Sequence, residues 1–160
     1  MPYLIDGNNF IGQFSPYPLR DPKSRYWLIG LLIIYKQIKK KKILLVFDGP
    51  PDPSVDNESF RKRYFKVYFP ELGQNADAII KDVVSKQQDL KKFYLVSSDR
   101  ELKSFARKQG AHIINGKDFN RELKMAKKVH RKIQEEEKDV SLPSNLEIQH
   151  WIEIFRAKHG

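Results

Sequence analysis

The fold is decided by the stretch Ile43-Leu44-Leu45-Val46-Phe47-Asp48-Gly49. Its first five residues form a continuous apolar run, which is typical of a central strand covered on both faces. Shorter apolar runs at Tyr3-Leu4-Ile5 and at residues 93–96 alternate with amphipathic segments. Strands that alternate with helices predict an α/β fold with a mainly parallel central sheet.

Apolar and amphipathic runs also alternate through the rest of the chain. Strands are predicted at residues 3–5, 43–47, 60–69, 93–96 and 111–114, and helices at 24–40, 76–87, 101–109 and 118–138. A linker at 140–145 precedes a last helix with an apolar stripe formed by Ile148, Trp151, Ile152 and Phe155. We therefore expect one α/β domain of about five strands over residues 1–139. Residues 140–160 are expected to form a short linker and an amphipathic helix packed on the domain or on a partner.

The composition narrows the class of protein. The 160 residues fit one domain, and a 40% share of hydrophobic residues is enough for a core. The chain has no cysteine, which excludes disulfides and thiolate metal sites and suits a reducing compartment. It shows neither a signal-peptide pattern nor an apolar run long enough to span a membrane. We therefore expect a soluble, cytoplasmic protein.

The charge balance favours a polyanionic partner. The chain has 30 Lys and Arg against 20 Asp and Glu, which gives a net charge of +10. Nucleic acid is the simplest partner for such an excess, whereas a basic protein that binds no polyanion is the alternative. Lysines 39–42 precede the strand at 43–47 and lie opposite its carboxyl end. We therefore expect them to form a solvated charged face.

Three of the predicted strands end in an aspartate. Asp6, Asp48 and Asp99 follow the first, second and fourth strands, and ligands bind beyond the carboxyl ends of strands in an open parallel sheet. Simpler interpretations exist, because Asp6-Gly7 and Asp48-Gly49 are common turn sequences and Asp99 is a good helix cap. Carboxylates at one edge repel one another, however, and a hard cation such as Mg²⁺ or Mn²⁺ relieves that repulsion. The pattern predicts a carboxylate metal site at this edge.

Asp77 is a fourth candidate, in the first turn of the predicted helix at 76–87. The alternative is an acid that only stabilises a helix N-terminus. A divalent ion held by carboxylates activates water and stabilises charge on a phosphate, so the cluster predicts chemistry at a phosphate group. The sequence has no cysteine nucleophile, Gly-x-Ser-x-Gly elbow, P-loop or dinucleotide fingerprint to favour another chemistry.

Four short motifs stand in order along the chain. They are Tyr3-Leu4-Ile5-Asp6-Gly7-Asn8-Asn9, Val46-Phe47-Asp48-Gly49, Asn75-Ala76-Asp77 and Val96-Ser97-Ser98-Asp99-Arg100-Glu101-Leu102. Together they resemble the motifs of NYN-domain nucleases in the wider PIN-like group, and most of all the YacP-type bacterial ribonucleases. The resemblance spans residues 1–120. It implies a three-layer PIN-like (NYN) α/β fold and a metal-dependent endoribonuclease.

The resemblance also implies roles for individual residues. Asp6, Asp77 and Asp99 correspond to metal ligands, for one or two Mg or Mn ions. Asp48 is a further expected ligand, at a position that is less uniform in the family. Asn8 corresponds to a polar residue that steadies the site.

RNA is the expected partner, as mRNA, rRNA or tRNA, with ribosome association as one option and no membrane. Contacts with RNA are expected from residues near the acids, namely Asn8, Ser98, Arg100, Arg61 and Arg63. The last two belong to the loop at 50–63, and Phe60 or Tyr64 is a candidate for stacking on a base.

Two other functions remain open from the sequence. Ala78 stands where related proteins often have a second acid, which weakens a second metal site and favours a catalytically weak or inactive RNA-binding module of the same fold. A protein-interaction module acting through the last helix, with Trp151 and Phe155 as anchors, is the third interpretation.

Overall fold

The structure alternates strands with helices, as the apolar pattern predicts. The computed structural model describes residues 2–53, 55, 64–138 and 152–157. The strands in that part of the chain are β1 (Pro2–Asp6), β2 (Lys42–Val46), β3 (Phe65–Tyr68), β4 (Tyr94–Val96) and β5 (His112–Ile114). The helices are α1 (Gly7–Phe14), α2 (Pro22–Lys39), α3 (Ala76–Ser85), α4 (Arg100–Gln109), α5 (Gly116–Lys138) and α6 (residues 152–157), with a 3₁₀ turn at Leu90–Lys92.

The five strands form one parallel sheet in the order β3-β2-β1-β4-β5. The central strand β1 pairs Asp6 with Val46 of β2 on one side and Ile5 with Val96 of β4 on the other. The chain therefore adds strands first on one side of β1 and then on the other. All carboxyl ends lie at one edge of the sheet, which we call the acid edge, and all amino ends lie at the opposite amino edge.

Helices cover both faces of the sheet and make three layers. Successive residues of a strand point to opposite faces, so each strand supplies side chains to two cores. One core joins the sheet to α1, α2 and α5 through Ile5, Leu45, Phe10, Leu28 and Phe119. The other joins it to α3 and α4 through Leu4, Leu44, Ile80 and Leu102. The predicted α/β class, the parallel sheet and the flanking helices are confirmed.

The structure departs from the sequence prediction at α1, at Lys39 and at the start of the third strand. The apolar pattern predicts no helix over residues 7–14, where the structure has α1. The solvated-face prediction for lysines 39–42 is wrong for Lys39, because its side chain is buried with the ammonium 4.7 Å from the centre of the Phe155 ring. The third strand begins at Phe65, and residues 60–63 of its predicted range lie outside the described residues.

The C-terminal helix α6 packs on the domain. Ile152 and Phe155 are buried, and Phe155 belongs to the core that contains α2. Arg156 Nε donates a hydrogen bond of 3.3 Å to the Ile38 carbonyl near the end of α2. The predicted linker, Ile148, Trp151 and the expected boundary at 139–140 lie outside the described residues. No helix within the described ranges combines the length and apolarity needed to cross a membrane.

Candidate active site

The four predicted aspartates lie at or beside the acid edge. Asp6 ends β1, while Asp48 and Asp99 follow β2 and β4 by a few residues. Asp77 is the second residue of α3. Negative charge on Asp77 and Asp99 raises the pKa of Asp6, and charge on Asp99 and Asp48 raises the pKa of Asp77. The fold therefore brings all four within electrostatic reach, and their role as ligands stays a prediction.

Asp6 is the most enclosed of these acids, with 6% of its surface exposed. Burial raises its pKa from 3.8 to about 6, and the charge on Asp77 adds to the increase. The Ser97 hydroxyl, which donates a 3.0 Å hydrogen bond to Asp6 Oδ2, and the Asn9 backbone amide act in the opposite direction. Asp6 is thus a buried carboxyl group whose ionised form is disfavoured.

Asp77 is half-buried in the first turn of α3, which begins where the Asn75 side chain accepts a hydrogen bond from the Ala78 amide at 2.9 Å. Burial raises the pKa of Asp77, and the charges of Asp99 and Glu101 raise it further. Lys81 lowers it, but the Lys81 ammonium is itself paired with Glu101 Oε1 at 2.6 Å. The positive charge that lowers the pKa of Asp77 is therefore shared with an exposed acid outside the predicted ligand set.

Asp48 and Asp99 each use one carboxylate oxygen for the local structure. Asp99 Oδ1 accepts a 3.0 Å hydrogen bond from the Leu102 amide and so caps α4. Asp48 Oδ1 accepts a 3.2 Å hydrogen bond from the Gly49 amide, in a turn where Gly49 has φ of +84°. The cap interpretation is therefore correct for Asp99, and the chain bends after Asp48, whereas Asp6-Gly7 leads directly into α1 and forms no turn. None of these local roles excludes a ligand role.

Side-chain amides of α1 tie the ends of β2 and β4 together. Asn8 Oδ1 accepts a 3.1 Å hydrogen bond from the Asp48 amide, and its part in steadying an active site stays a prediction. Asn9 Oδ1 accepts a 3.1 Å hydrogen bond from the Ser98 amide. The Ser98 hydroxyl, predicted to contact substrate, is already bonded to Asn9 and to Gln13.

Arg25 of α2 is a further residue at this edge that the sequence analysis missed. Its Nη2 donates a 2.8 Å hydrogen bond to the Asp48 carbonyl, and its guanidinium lies 5.1 and 5.5 Å from the ring centres of Phe47 and Phe69. It therefore holds the turn that presents Asp48. No local sequence pattern predicts this role, because Arg25 and Asp48 meet only through the tertiary fold. Asn9 and Ser97, which also bond to residues at this edge, could have been found, because they lie within the quoted motifs.

The predicted RNA contacts are only partly described. Arg100 is the first residue of α4 and is exposed next to Asp99. Arg61 and Arg63 lie outside the described residues, as does Phe60, whereas Tyr64 is described and exposed at the amino edge. Arg100 is thus the predicted cation that the structure places beside the acids.

The donor set fits a hard divalent ion in its chemistry. It consists of carboxylates without cysteine or histidine. Burial and, after it, the charges of neighbouring acids raise the pKa of Asp6 and of Asp77, so added positive charge would favour their ionised forms. In the part of the chain that the structure describes, no three acidic or histidine side chains converge closely enough to hold a metal ion. The four acids therefore have the right type and charge, but their carboxylates are not drawn together.

An open cavity of about 390 Å³ lies beside Asp48. Its walls are the turn at residues 48–51 and the loop at residues 70–74, in which Leu72 is fully exposed. The cavity offers space for a ligand that approaches the acids from the side of β2 and β3.

Comparisons with known proteins agree with this fold. The model of the family described as "YacP-like NYN domain" matches residues 3–153. A crystal structure of a mutant of Rae1 (YacP) from Bacillus subtilis is 18% identical, with a TM-score of 0.70, covering 98% of this chain and 96% of that one. A second crystal structure of Rae1 (YacP) from Bacillus subtilis is 19% identical, with a TM-score of 0.68, covering 87% and 83%. Among curated proteins, no relative matches.

Proposed function

The chain belongs to the YacP-like NYN domain family, and from this premise we propose that it is a metal-dependent endoribonuclease. NYN domains form a nuclease family, which supports a ribonuclease-type fold. The proposal adds the substrate bond, an RNA phosphodiester, and the metal, Mg²⁺ or Mn²⁺. The cytoplasmic location of the protein stays a prediction, which is based on its cysteine-free composition.

The observation that supports the proposal most is the burial of Asp6 within electrostatic reach of two other acids. Burial raises the pKa of Asp6 to about 6, and the charges of Asp77 and Asp99 add to the increase. A fold does not gain stability by gathering like charges at one edge. A site that binds a divalent cation accounts for that cost.

The proposed roles follow from position. Asp6, Asp77 and Asp99 would hold the ion, and Asp48 would join them from the turn after β2. Binding would require these carboxylates to come closer together than they are in this structure. A divalent ion in such a site supplies activation of water and stabilisation of the charge that develops on the phosphodiester. Asn8 and Arg25 position Asp48 through its backbone, and Ser97 holds the carboxylate of Asp6.

The experiment is an RNA cleavage assay with purified protein and Mn²⁺ or Mg²⁺. We expect cleavage that EDTA stops. We expect Asp6→Asn and Asp99→Asn each to lower the rate by more than the roughly 10–100-fold that the loss of a residue supporting a ligand costs. Asp89→Asn is the matched control, since Asp89 is exposed at the amino edge. Full activity in both acid-edge variants would refute the site assignment.

A catalytically inactive RNA-binding module is the second candidate, and Ala78 favours it. Ala78 is exposed in the first turn of α3, next to Asp77, and supplies no carboxylate there. This candidate predicts RNA binding that weakens with salt and no cleavage with any divalent metal. The same assay therefore separates the two candidates.

A further inference from the structure

A basic cleft lies at the amino edge, opposite the acids. It has a volume of about 570 Å³ and is lined by Lys36, Gln37, Lys40, Lys41, Lys42 and Tyr64. Four of these six residues are lysines, and none of the six is acidic. We call this the amino-edge cleft. It concentrates positive charge at a concave site that the proposed chemistry does not use.

Tyr64 places an aromatic ring at this cleft. Its carbonyl accepts a 3.0 Å hydrogen bond from the Ile43 amide, which continues the pairing of β2 with β3. Its backbone has φ of +56°, and its side chain is 73% exposed. The Lys36 ammonium lies 6.0 Å from the centre of the ring. The tyrosine is thus fixed by the sheet, while its ring stays open beside lysines.

A second pair of a lysine and a tyrosine lies along β3. The Lys66 ammonium is 4.6 Å from the centre of the Tyr68 ring, and both side chains are half-buried. In the described part of the chain, β3 is the outermost strand on its side of the sheet. Its four residues span ~13 Å. Lys66 and Tyr68 face α3, because Phe65 and Val67 face α2 on the other side of the sheet. Lys36 belongs to α2, so an RNA strand that contacts both pairs would pass around the edge strand β3 on its way from the amino-edge cleft to the acid edge.

The path continues to the acids. Beyond Tyr68, an open cavity of about 510 Å³ lies between the end of β3 and helix α3, with Tyr68, Phe69 and Ala78 among its lining residues. Ala78 is the neighbour of Asp77 on α3. The cavity beside Asp48 lies next to it, since both are lined by Glu71 and Gln74.

We propose that the amino-edge cleft is a second binding site for single-stranded RNA, which holds part of the strand while β3 leads the rest to the acids. Lysines neutralise phosphates, and an aromatic ring stacks on a base of any sequence. A lipid surface fits less well, because the lysines line a concave cleft and not a flat or protruding face. The inference rests on the proposed ribonuclease function, since it concerns the same substrate.

The test measures binding of a labelled 16-nucleotide single-stranded RNA by fluorescence anisotropy in EDTA, so that no cleavage occurs. One variant combines Lys40→Asn with Lys42→Gln; asparagine suits position 40, where φ is +52°. A second variant is Tyr64→Asn. The control combines Lys127→Gln with Lys128→Gln, exposed residues of α5, and removes the same net charge.

We expect about tenfold weaker binding in the lysine variant and a salt dependence whose slope falls by about 1.4, the value for two phosphate contacts on a single strand. Tyr64→Asn should weaken binding about tenfold with its slope unchanged, because stacking releases no counterions. The control should bind within about twofold of wild type. The effects should grow with RNA length, from about 4 to about 16 nucleotides.

Two results would overturn the inference. The first is that the lysine and tyrosine variants bind RNA as tightly as the control variant does. The other is binding of phosphatidylglycerol vesicles that depends on these residues while RNA binding does not. If wild type cleaves RNA but the cleft variants bind it normally, the proposed RNA site in the cleft is wrong and the proposed ribonuclease function is supported. If no metal supports cleavage but the variants lose RNA binding, the ribonuclease function is wrong and the RNA site in the cleft is supported.

Discussion

Among single residues, Asp6 carries a buried charge whose cost can be measured as a change in the free energy of unfolding. Its pKa in the folded protein is about 6, against 3.8 for the ordinary carboxyl. The folded state therefore binds the proton more tightly than the unfolded state. The contribution of Asp6 to stability is full below pH 4 and is lost as the pH rises through 6, up to about 3 kcal/mol.

We expect Asp6→Asn to be more stable than wild type in metal-free solution at pH 7.5, by about 1–3 kcal/mol. Asparagine keeps the shape of the side chain and an oxygen that can accept from Ser97, and it lacks the buried charge. The measurement is urea unfolding in EDTA at pH 4.5 and 7.5. The advantage of the variant should shrink at the lower pH. A variant that is less stable than wild type at pH 7.5 would contradict this account.

Asp48 and Asp99 show which features of the site can be predicted from the sequence and which cannot. Both were open to two interpretations, and the structure shows that the local role and the shared edge coexist. The edge could be predicted because a parallel sheet aligns the ends of its strands. The role of Arg25 could not be predicted, because its contact with the Asp48 carbonyl depends on how α2 packs on the sheet.

At the level of elements, α1 is the part of the fold that the sequence conceals. It begins with Gly7-Asn8-Asn9, residues of low helix propensity that favour a turn. The buried side chains of Phe10 and Ile11 hold the helix against the sheet in spite of that propensity. The strands were easier to predict, because an apolar run such as Ile43–Phe47 needs no tertiary knowledge to indicate burial.

The start of α1 requires glycine at position 7. A Cβ there would lie 2.7 Å from the Val46 carbonyl oxygen and 2.8 Å from the Phe47 ring. We expect Gly7→Ala to lower the free energy of unfolding by about 1–3 kcal/mol, since the backbone must shift to relieve this overlap. RNA cleavage should fall about tenfold or more, because α1 positions the turn at Asp48 through Asn8. Urea unfolding and the cleavage rate measure the two effects.

Gly12 is the control for that substitution, in the same helix. A Cβ at Gly12 would meet nothing within 4 Å. Gly12→Ala should therefore stabilise the protein by up to about 1 kcal/mol through helix propensity and leave cleavage unchanged. Equal stability and activity of the Gly7 and Gly12 variants would show that α1 does not depend on its close approach to β2.

Across the whole molecule, charge is divided between the two edges of the sheet. The acids lie at the carboxyl ends of the strands, and lysines 40–42 lie at the amino ends. With a net charge of +10, the surroundings attract a polyanion that the acids alone would repel. In the function we propose, the acid edge serves the chemistry and the amino-edge cleft retains the RNA strand.

The C-terminal helix α6 adds Phe155 to the core that joins the sheet to α1, α2 and α5. The contribution of α6 to stability can therefore be tested at Phe155. The ring is 3% exposed, packs in the cluster with α2 and covers the Lys39 ammonium. Phe155→Ala should lower the free energy of unfolding by about 3–5 kcal/mol and the melting temperature by about 10 °C, as removal of a buried ring leaves a cavity. Glu153→Ala, an exposed change on the same helix, should change the free energy of unfolding by less than about 0.5 kcal/mol. If the two variants unfold alike, α6 adds nothing to the core, and a role of the last helix in binding a partner becomes the better explanation of its apolar stripe.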